Sequence, residues 1–416
     1  MAATTESLDV IIIGAGAAGL TAAFDFHYTP SNLSHKVLEA SSKLGGRLQK
    51  LTGFADFPID VGGEWIHKPP TVLDDIYDAD SSDPEKPTSD IETTAYVKTY
   101  DEWDDNEWVT QAFDSQDFKF VNYTWFDYFD EWIAPSLNIE YDCAVTRLDW
   151  SASPVQVECA NGKQFTAQHV IVTASMGVLQ KDDIQFVPAL PADIQSAINT
   201  YWMMSGLKVF MKFEERFYRE AFEFASDFQR DGYEKGERYF YNVAYGQTTE
   251  NNVLGVFQVG DPATRFLTMT DQEIYDDILQ QLDGVYDGQA TPNFVEGFVQ
   301  NWNEQLFVKG AYTDLSDDDD ELNGIEVMRQ SLDDRVFFAG EAIPASGYEY
   351  GFAHEAAFSG RAAAAKVVTL LKGGEPSGSD SNTTSSAFSA RAMSTSIQHC
   401  LLSFGLLALC LTRKLH

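Results

Sequence analysis

Gly14, Gly16 and Gly19 stand in the stretch LDVIIIGAGAAG (residues 8–19) at the G-x-G-x-x-G spacing that lets a backbone close on a phosphate. Their jobs differ. Gly14 allows a tight turn, Gly16, with Ala15 beside it, lets the backbone approach a pyrophosphate, and Gly19 lets the next helix pack close to the strand. Residues 9–13 are β-branched and too few for a buried helix, so the pattern predicts a buried parallel strand. The helix expected from about residue 17 to residue 27 would aim unpaired amides and its positive dipole end at the phosphates. A second strand, residues 36–38, ends at Glu39, whose carboxylate can accept both hydroxyls of an adenosine ribose. Dinucleotide binding follows from this combination. The glycine triplet does not separate FAD from NAD.

Two more glycine pairs come next. ASSKLGGRL (40–48) joins Gly45 and Gly46 to Arg47, a planar cation able to reach a pyrophosphate or a flavin edge. IDVGGEWIH (59–67) breaks an apolar stretch at Gly62 and Gly63, ahead of Glu64 and Trp65. Each alone fits a structural turn. Together with the first motif they resemble the FAD-binding part of the flavin amine oxidase family, which includes monoamine and polyamine oxidases, and that resemblance selects FAD over NAD.

The resemblance covers most of residues 8–371 and carries further expectations. It implies that Val145 faces the adenine through its backbone, and that Ala174 and Ser175 lie where small residues approach the flavin. Gly340 and Glu341, at the end of RVFFAGE, would hold the ribityl or pyrophosphate region. Gly351, Phe352 and Ala353 open the last long helix, whose amino end would point at the isoalloxazine ring and favour negative charge there. Within SGLKVFMKF (205–213), the strand pattern alone reads Lys208 as a snorkelling or surface lysine. The resemblance places it beside the flavin through a bound water. Trp302, ahead of KGAY, would lie on the substrate side; with Lys208, Tyr348 and Tyr350 it makes up the catalytic candidates. One departure is Glu355, where the family often has a small residue. No cysteine lies between Cys159 and Cys400, so the covalent-flavin cysteine of some members has no counterpart and FAD is expected to be non-covalent.

The elements needed to hold these residues imply an α/β chain: a Rossmann-like FAD-binding domain, a mixed α+β substrate domain and a flexible C-terminal tail. The FAD domain is expected to be discontinuous, over residues 1–68, 141–185 and 332–372, with the substrate domain over 69–140 and 186–331. The insert 69–140 looks short for the family, so the cavity wall it supplies is expected to be reduced or differently built. Its aromatic residues, Trp125, Phe126, Tyr128, Phe129 and Trp132, read as core packing. A capping box is expected at Thr270 and Glu273, with Gly284 beyond the end of that helix.

The chain has 416 residues, enough for two domains, and a formal net charge of −36. That charge argues against a nucleic-acid surface and either steers cationic ligands or serves solubility. The 29 Phe, 18 Tyr and 8 Trp make an aromatic-lined cavity easy to build. Four cysteines without a CxxC predict a reduced chain or at most one bridge, and seven histidines without paired spacing predict no metal site. His67 and His354 read as structural.

Residues 373–396 are rich in Ser, Thr and Gly and read as a flexible linker into the apolar tail 397–416. The run CLLSFGLLALCL would span roughly 18 Å as a helix, at about 1.5 Å per residue, against a hydrocarbon core of about 30 Å. A membrane tail, a docking tail and a lipid-anchor signal all remain open. The chain is accordingly expected to be membrane-associated or cytoplasmic, with a secretory route only if the amino terminus is incomplete, and Asn32, Asn122 and Asn382 occupy sequons.

The function expected is oxidation of a small cationic amine, with a polyamine favoured, imine hydrolysis, and dioxygen reduced to hydrogen peroxide. An amino-acid substrate would need an arginine clamp that the sequence does not display. The rival readings are a non-catalytic or membrane-docked flavoprotein scaffold and a desaturase that shares the cofactor motifs.

Overall fold

The computed structural model of the protein describes residues 5–28, 33–78, 85–104, 106–113, 115–224, 238–314, 319–347 and 349–373. The expected linker and tail beyond Gly373, and the candidate Tyr348, lie outside these residues.

The apolar run that precedes the glycine turn forms the strand Glu6–Ile13, with Val10, Ile11 and Ile12 free of solvent contact. It pairs in parallel with His35–Leu38 on one side and Gln164–Val172 on the other. Ile139–Glu140 and Val336–Phe338 extend this to five parallel strands, in the order 336–338, 164–172, 6–13, 35–38, 139–140. A parallel sheet must be covered on both faces. Val10 and Ile12 join one core with the helices Ala17–Tyr28 and Ala353–Leu371, which pack so closely that a Cβ on Gly360 would fall 1.9 Å from the Ala18 carbonyl oxygen. Leu8, Ile11 and Ile13 join the opposite core with Ile194 and Ile198 of Ala192–Thr200 and with Ile325 and Met328 of Asp319–Met328. The antiparallel strands Val145–Asp149 and Val155–Cys159 widen the sheet, and a disulfide joins Cys143 to Cys159, so of the two expectations, a reduced chain or at most one bridge, the first does not hold for this pair.

A second, seven-stranded sheet runs in the order 294–301, 206–213, 252–259, 238–242, 221–224, 99–104, 107–112. Its pairings are antiparallel except that between Ala221–Phe224 and Thr99–Asp104. Gly206–Phe213 is interior, bonded on both sides, and Lys208 is 2% exposed because Glu64, Trp65 and Tyr241 cover it on the sheet face. The helix Asp271–Val285 packs Ile274, Ile278 and Leu282 beneath this sheet and starts with the expected capping box. It runs one residue past Gly284, which therefore lies inside its last turn rather than beyond its end.

Among their described residues, positions 69–140 supply the helix Val72–Tyr77, the turn pair Trp125–Tyr128 and Phe129–Ile133, and five strands, two of which form the edge of the seven-stranded sheet while Ile139–Glu140 ends the parallel one. Trp125, Tyr128 and Phe129 are buried in the first core with Phe126 and Trp132 packed against it, which bears out their reading as packing residues.

Candidate active site

One cavity of about 1600 Å³ runs between the glycine turn and the second sheet. Gly14 and Gly16 line one end. Gly14 has φ +106°, and a Cβ on Gly19 would meet the Gly14 carbonyl oxygen at 1.9 Å, so the turn exists because both positions lack side chains. Glu39, also on the wall, accepts the Ala15 amide at 2.7 Å on one oxygen and the Ser41 amide and hydroxyl at 2.8 Å on the other. The strand-end carboxylate thus ties the first strand's turn to the loop that follows the second. Ala15 and Gly19 sit behind the lining, supporting it.

Val145 borders the same end, with Ala174 and Ser175 farther along. Arg47 and Glu341, drawn from distant segments, meet at 2.7 Å on the cavity wall. Glu341 also accepts from Thr313 Oγ1 at 2.6 Å, and Arg47 donates to the Ala311 carbonyl at 3.2 Å. Gly62, Gly63, Glu64 and Trp65 form the neighbouring wall, and a Cβ on Gly62 would fall 1.6 Å from the Arg47 carbonyl oxygen.

The far end is aromatic. Trp65, Phe257, Trp302, Tyr312, Tyr350 and Phe352 line it together with Lys208. Trp302 is fixed by its indole N–H, which donates to the Val61 carbonyl at 3.2 Å, and the Tyr350 hydroxyl reaches Asp314 at 3.2 Å. Gly351, Phe352 and Ala353 line the cavity at the start of the helix Ala353–Leu371, with Gly340 across from them.

Lys208 is not a lone lysine. Its ammonium donates to Glu64 Oε2 at 2.7 Å and lies over the Trp65 ring, 4.9 Å from the centroid. Tyr241 donates to the same oxygen at 2.6 Å, and Lys119 meets Glu64 Oε1 at 2.8 Å. Burial drives the Glu64 carboxyl up, but the Lys119 and Lys208 ammoniums overcome it and hold the group down at about 2. Burial pushes Lys208 below the ordinary lysine range, against the pull of Glu64. Asp60, fully buried beside them, is pushed well above the carboxylate range by burial and by the Glu64 charge.

At the helix entrance, burial and then the Glu349 charge raise Glu355 to about 7, with Lys68 and Arg329 opposing. The ligand-type atoms of Glu349, His354 and Glu355 lie within 4.8 Å of one another, a grouping that histidine spacing could not reveal. Lys68 already pairs with Glu349 at 2.6 Å and the helix dipole opposes a cation there, so the cluster acts on Glu355 rather than inviting a metal. His67 pairs with Asp117 at 3.0 Å, while burial holds His354 near 3 and therefore neutral.

Against this geometry, the chain matches the model of the flavin containing amine oxidoreductases over residues 127–368, more than half its length. The chain belongs to the flavin-containing amine oxidoreductase family. Residues 12–79 also match the NAD(P)-binding Rossmann-like domain, which bears out the reading of the glycine turn. Polyamine oxidase 1 of Zea mays is 29% identical over 233 residues, covering 53% of this chain and 43% of that protein. Lysine-specific histone demethylase 1 homolog 1 of Arabidopsis thaliana is 29% identical over 247 residues, covering 58% of this chain and 28% of its own. The chain thus spans less than half the length of these curated relatives. Among solved structures, a putrescine oxidase bound to putrescine matches with a TM-score of 0.69 at 15% identity, over 88% of this chain and 100% of the other. Cyclohexylamine oxidase from Brevibacterium oxydans gives 0.70 at 18%, over 88% and 99%. These two bear out the fold.

FAD is the cofactor of the family. The residues present fit it: a side-chain-free turn at one end, a carboxylate at the strand tip, and a cavity that continues past the Arg47–Glu341 pair to an aromatic end. Sequence reasoning missed Lys119, Asp60, Tyr241 and Phe257. Lys119 alone left a local trace, since Phe118-Lys119-Phe120 places a lysine between apolar strand neighbours as Leu207-Lys208-Val209 does.

Among the described residues, no helix is long and apolar enough to cross a membrane.

Proposed function

We propose that this protein is an FAD-dependent amine oxidase whose substrate is a small cationic amine, with a polyamine favoured. The observation that carries the reading is the single cavity joining the glycine turn and Glu39 to a buried lysine among aromatic side chains. The adenosine end would be held by Gly14, Gly16, Glu39 and Val145, the middle by Arg47, Gly62, Gly63, Gly340 and Glu341, and the ring by Trp65, Gly351, Phe352 and Ala353. When bound, FAD supplies the two-electron acceptor for the C–H bond beside the amine nitrogen and passes the electrons to dioxygen, which leaves as hydrogen peroxide.

The chain's own residues do the rest. Trp65, Phe257, Trp302 and Tyr312 exclude water from the reacting end and offer ring faces to an ammonium. Asp314, also on the lining, favours a substrate with more than one positive charge, as does the net charge of −36. Lys208 holds a proton at Nζ on the cavity wall, and burial loosens its hold on that proton, which suits it to assist amine deprotonation or to stabilise charge as dioxygen is reduced.

A peroxide assay with a panel of mono-, di- and polyamines tests the reading, followed by Lys208→Met in anaerobic stopped-flow. The variant should keep its flavin spectrum and lose at least tenfold in reduction by amine or in reoxidation by dioxygen, equivalent to about 1.4 kcal/mol of barrier. Both half-reactions at wild-type rates would make Lys208 a structural lysine.

A further inference from the structure

Glu64 serves two lysines at once. One oxygen takes the Lys208 ammonium at 2.7 Å and the Tyr241 hydroxyl at 2.6 Å, and the other faces Lys119 at 2.8 Å. All three charged side chains are at most 5% exposed. Lys208 and Glu64 line the large cavity, whereas Lys119 comes from the strand Phe118–Phe120 of the insert and does not line it. Lys119 is held in place by the Val243 carbonyl at 3.2 Å and by the Tyr96 and Tyr241 rings, 5.7 and 5.4 Å from their centroids.

We propose that Glu64 and Lys119 are positioning residues for Lys208: Glu64 aims its ammonium across Trp65, and Lys119, by competing for the same carboxylate, loosens Lys208's hold on its proton. The proposal rests on the reading of this chain as an amine oxidase with Lys208 in its site.

The charge count explains the competition. Tyr241, Tyr96 and Tyr239 are pushed up by burial and stay neutral phenols. Asp60, which also senses Asp127, is pushed well above the carboxylate range by burial and by the Glu64 charge, so its own charge is disfavoured there. Glu64 is the carboxylate that both ammoniums contact, and all three side chains are buried. If Lys208 gives up its proton, Lys119 still neutralises Glu64 and no charge is left unpaired. If Lys119 were absent, loss of the Lys208 proton would strand a buried carboxylate, which is costly. Lys119 thus makes the cavity-facing lysine the one that titrates, and the two substitutions have opposite signs. Lys119→Met should raise the pH at which Lys208 loses its proton, and Glu64→Gln should lower it.

Competitive trace labelling of the full-length holoprotein with acetic anhydride reads this without turnover. Labelling of Lys208 is quantified by peptide mass spectrometry between pH 6 and 11 (roughly spanning the shifted and ordinary lysine ranges), with exposed Lys181 as internal standard. The expected shifts are at least about one unit up for Lys119→Met and about one unit down for Glu64→Gln, a tenfold change in proton affinity each way. Lys119→Arg, which keeps the competing charge, should stay near wild type. Shifts of the same sign, or none, overturn the proposal. If Lys119→Met does not fold, an unshifted Glu64→Gln profile overturns it alone. Should the wild type oxidise no amine, the functional reading falls, while the labelling still decides the lysine competition.

Discussion

Glu355→Gln is the substitution whose effect should depend most clearly on pH. Burial and the Glu349 charge raise the Glu355 carboxyl from 4.5 to about 7 in the folded protein. Between those values the unfolded chain has lost the proton that the folded chain keeps, so stability falls as pH rises through this window and levels off above it. A shift of roughly 2.5 units at 1.36 kcal/mol each sets the ceiling at about 3 kcal/mol. Glutamine has the shape of the protonated acid and escapes the penalty. The variant should match wild type at about pH 4, below both values, and exceed it by about 1–3 kcal/mol at about pH 8, above both. Urea unfolding across that range, at fixed excess FAD, measures the difference, since bound cofactor otherwise adds its own stabilisation. A gain that is the same at every pH would refute the reasoning, because only ionisation at this site can make it pH-dependent.

Glu39→Ala removes the acceptor of the Ala15 and Ser41 donors. FAD retention measured by equilibrium dialysis should weaken by roughly 1.5–3 kcal/mol, and undiminished retention would remove Glu39 from the site. Acid precipitation should leave the flavin in the supernatant, since Cys143, the cysteine on the cavity wall, is tied to Cys159; flavin in the pellet contradicts a non-covalent cofactor. Raising ionic strength above about 0.1 M, where charges are screened beyond about 10 Å, should lower kcat/KM for a tetra-amine more than for a monoamine. Equal salt dependence would assign the negative charge to solubility.

The parts of this fold that depend on neighbouring residues could be read from the sequence. Ile11 to Ile13 are β-branched and run into Gly14, and a strand, a turn and a helix follow from local sterics. Thr270 and Glu273 likewise announce a helix start within four residues. The elements that bring Arg47 to Glu341, or Lys119 to Glu64, are joined only by tertiary packing, and no spacing encodes them. Gly284 shows the same limit in a smaller way. It marks a helix end by propensity, yet burial of Leu282 carries the helix one residue past it.

Lys208 was legible as a candidate site residue only through resemblance, because its own neighbours, Leu207 and Val209, fit a surface strand equally well. What distinguishes the two cases is what covers the side chain. Lys212, four residues on along the same face of the same strand, keeps its side chain 26% exposed, whereas Lys208 is covered by Trp65, Tyr241 and Phe257 and must find an anion. Glu64 is that anion, supplied from the segment that carries Gly62 and Gly63, so the glycine pair and the acid serve different ends within three residues. The glycines clear space beside Arg47, and the acid crosses to the second sheet. The same reasoning makes the insert informative, since its strand Phe118–Phe120 delivers a second cation, Lys119, to the buried carboxylate. The residue that adjusts Lys208 therefore belongs to the part of the chain with the weakest motif signal, where sequence resemblance has least to say and burial of a charge has most.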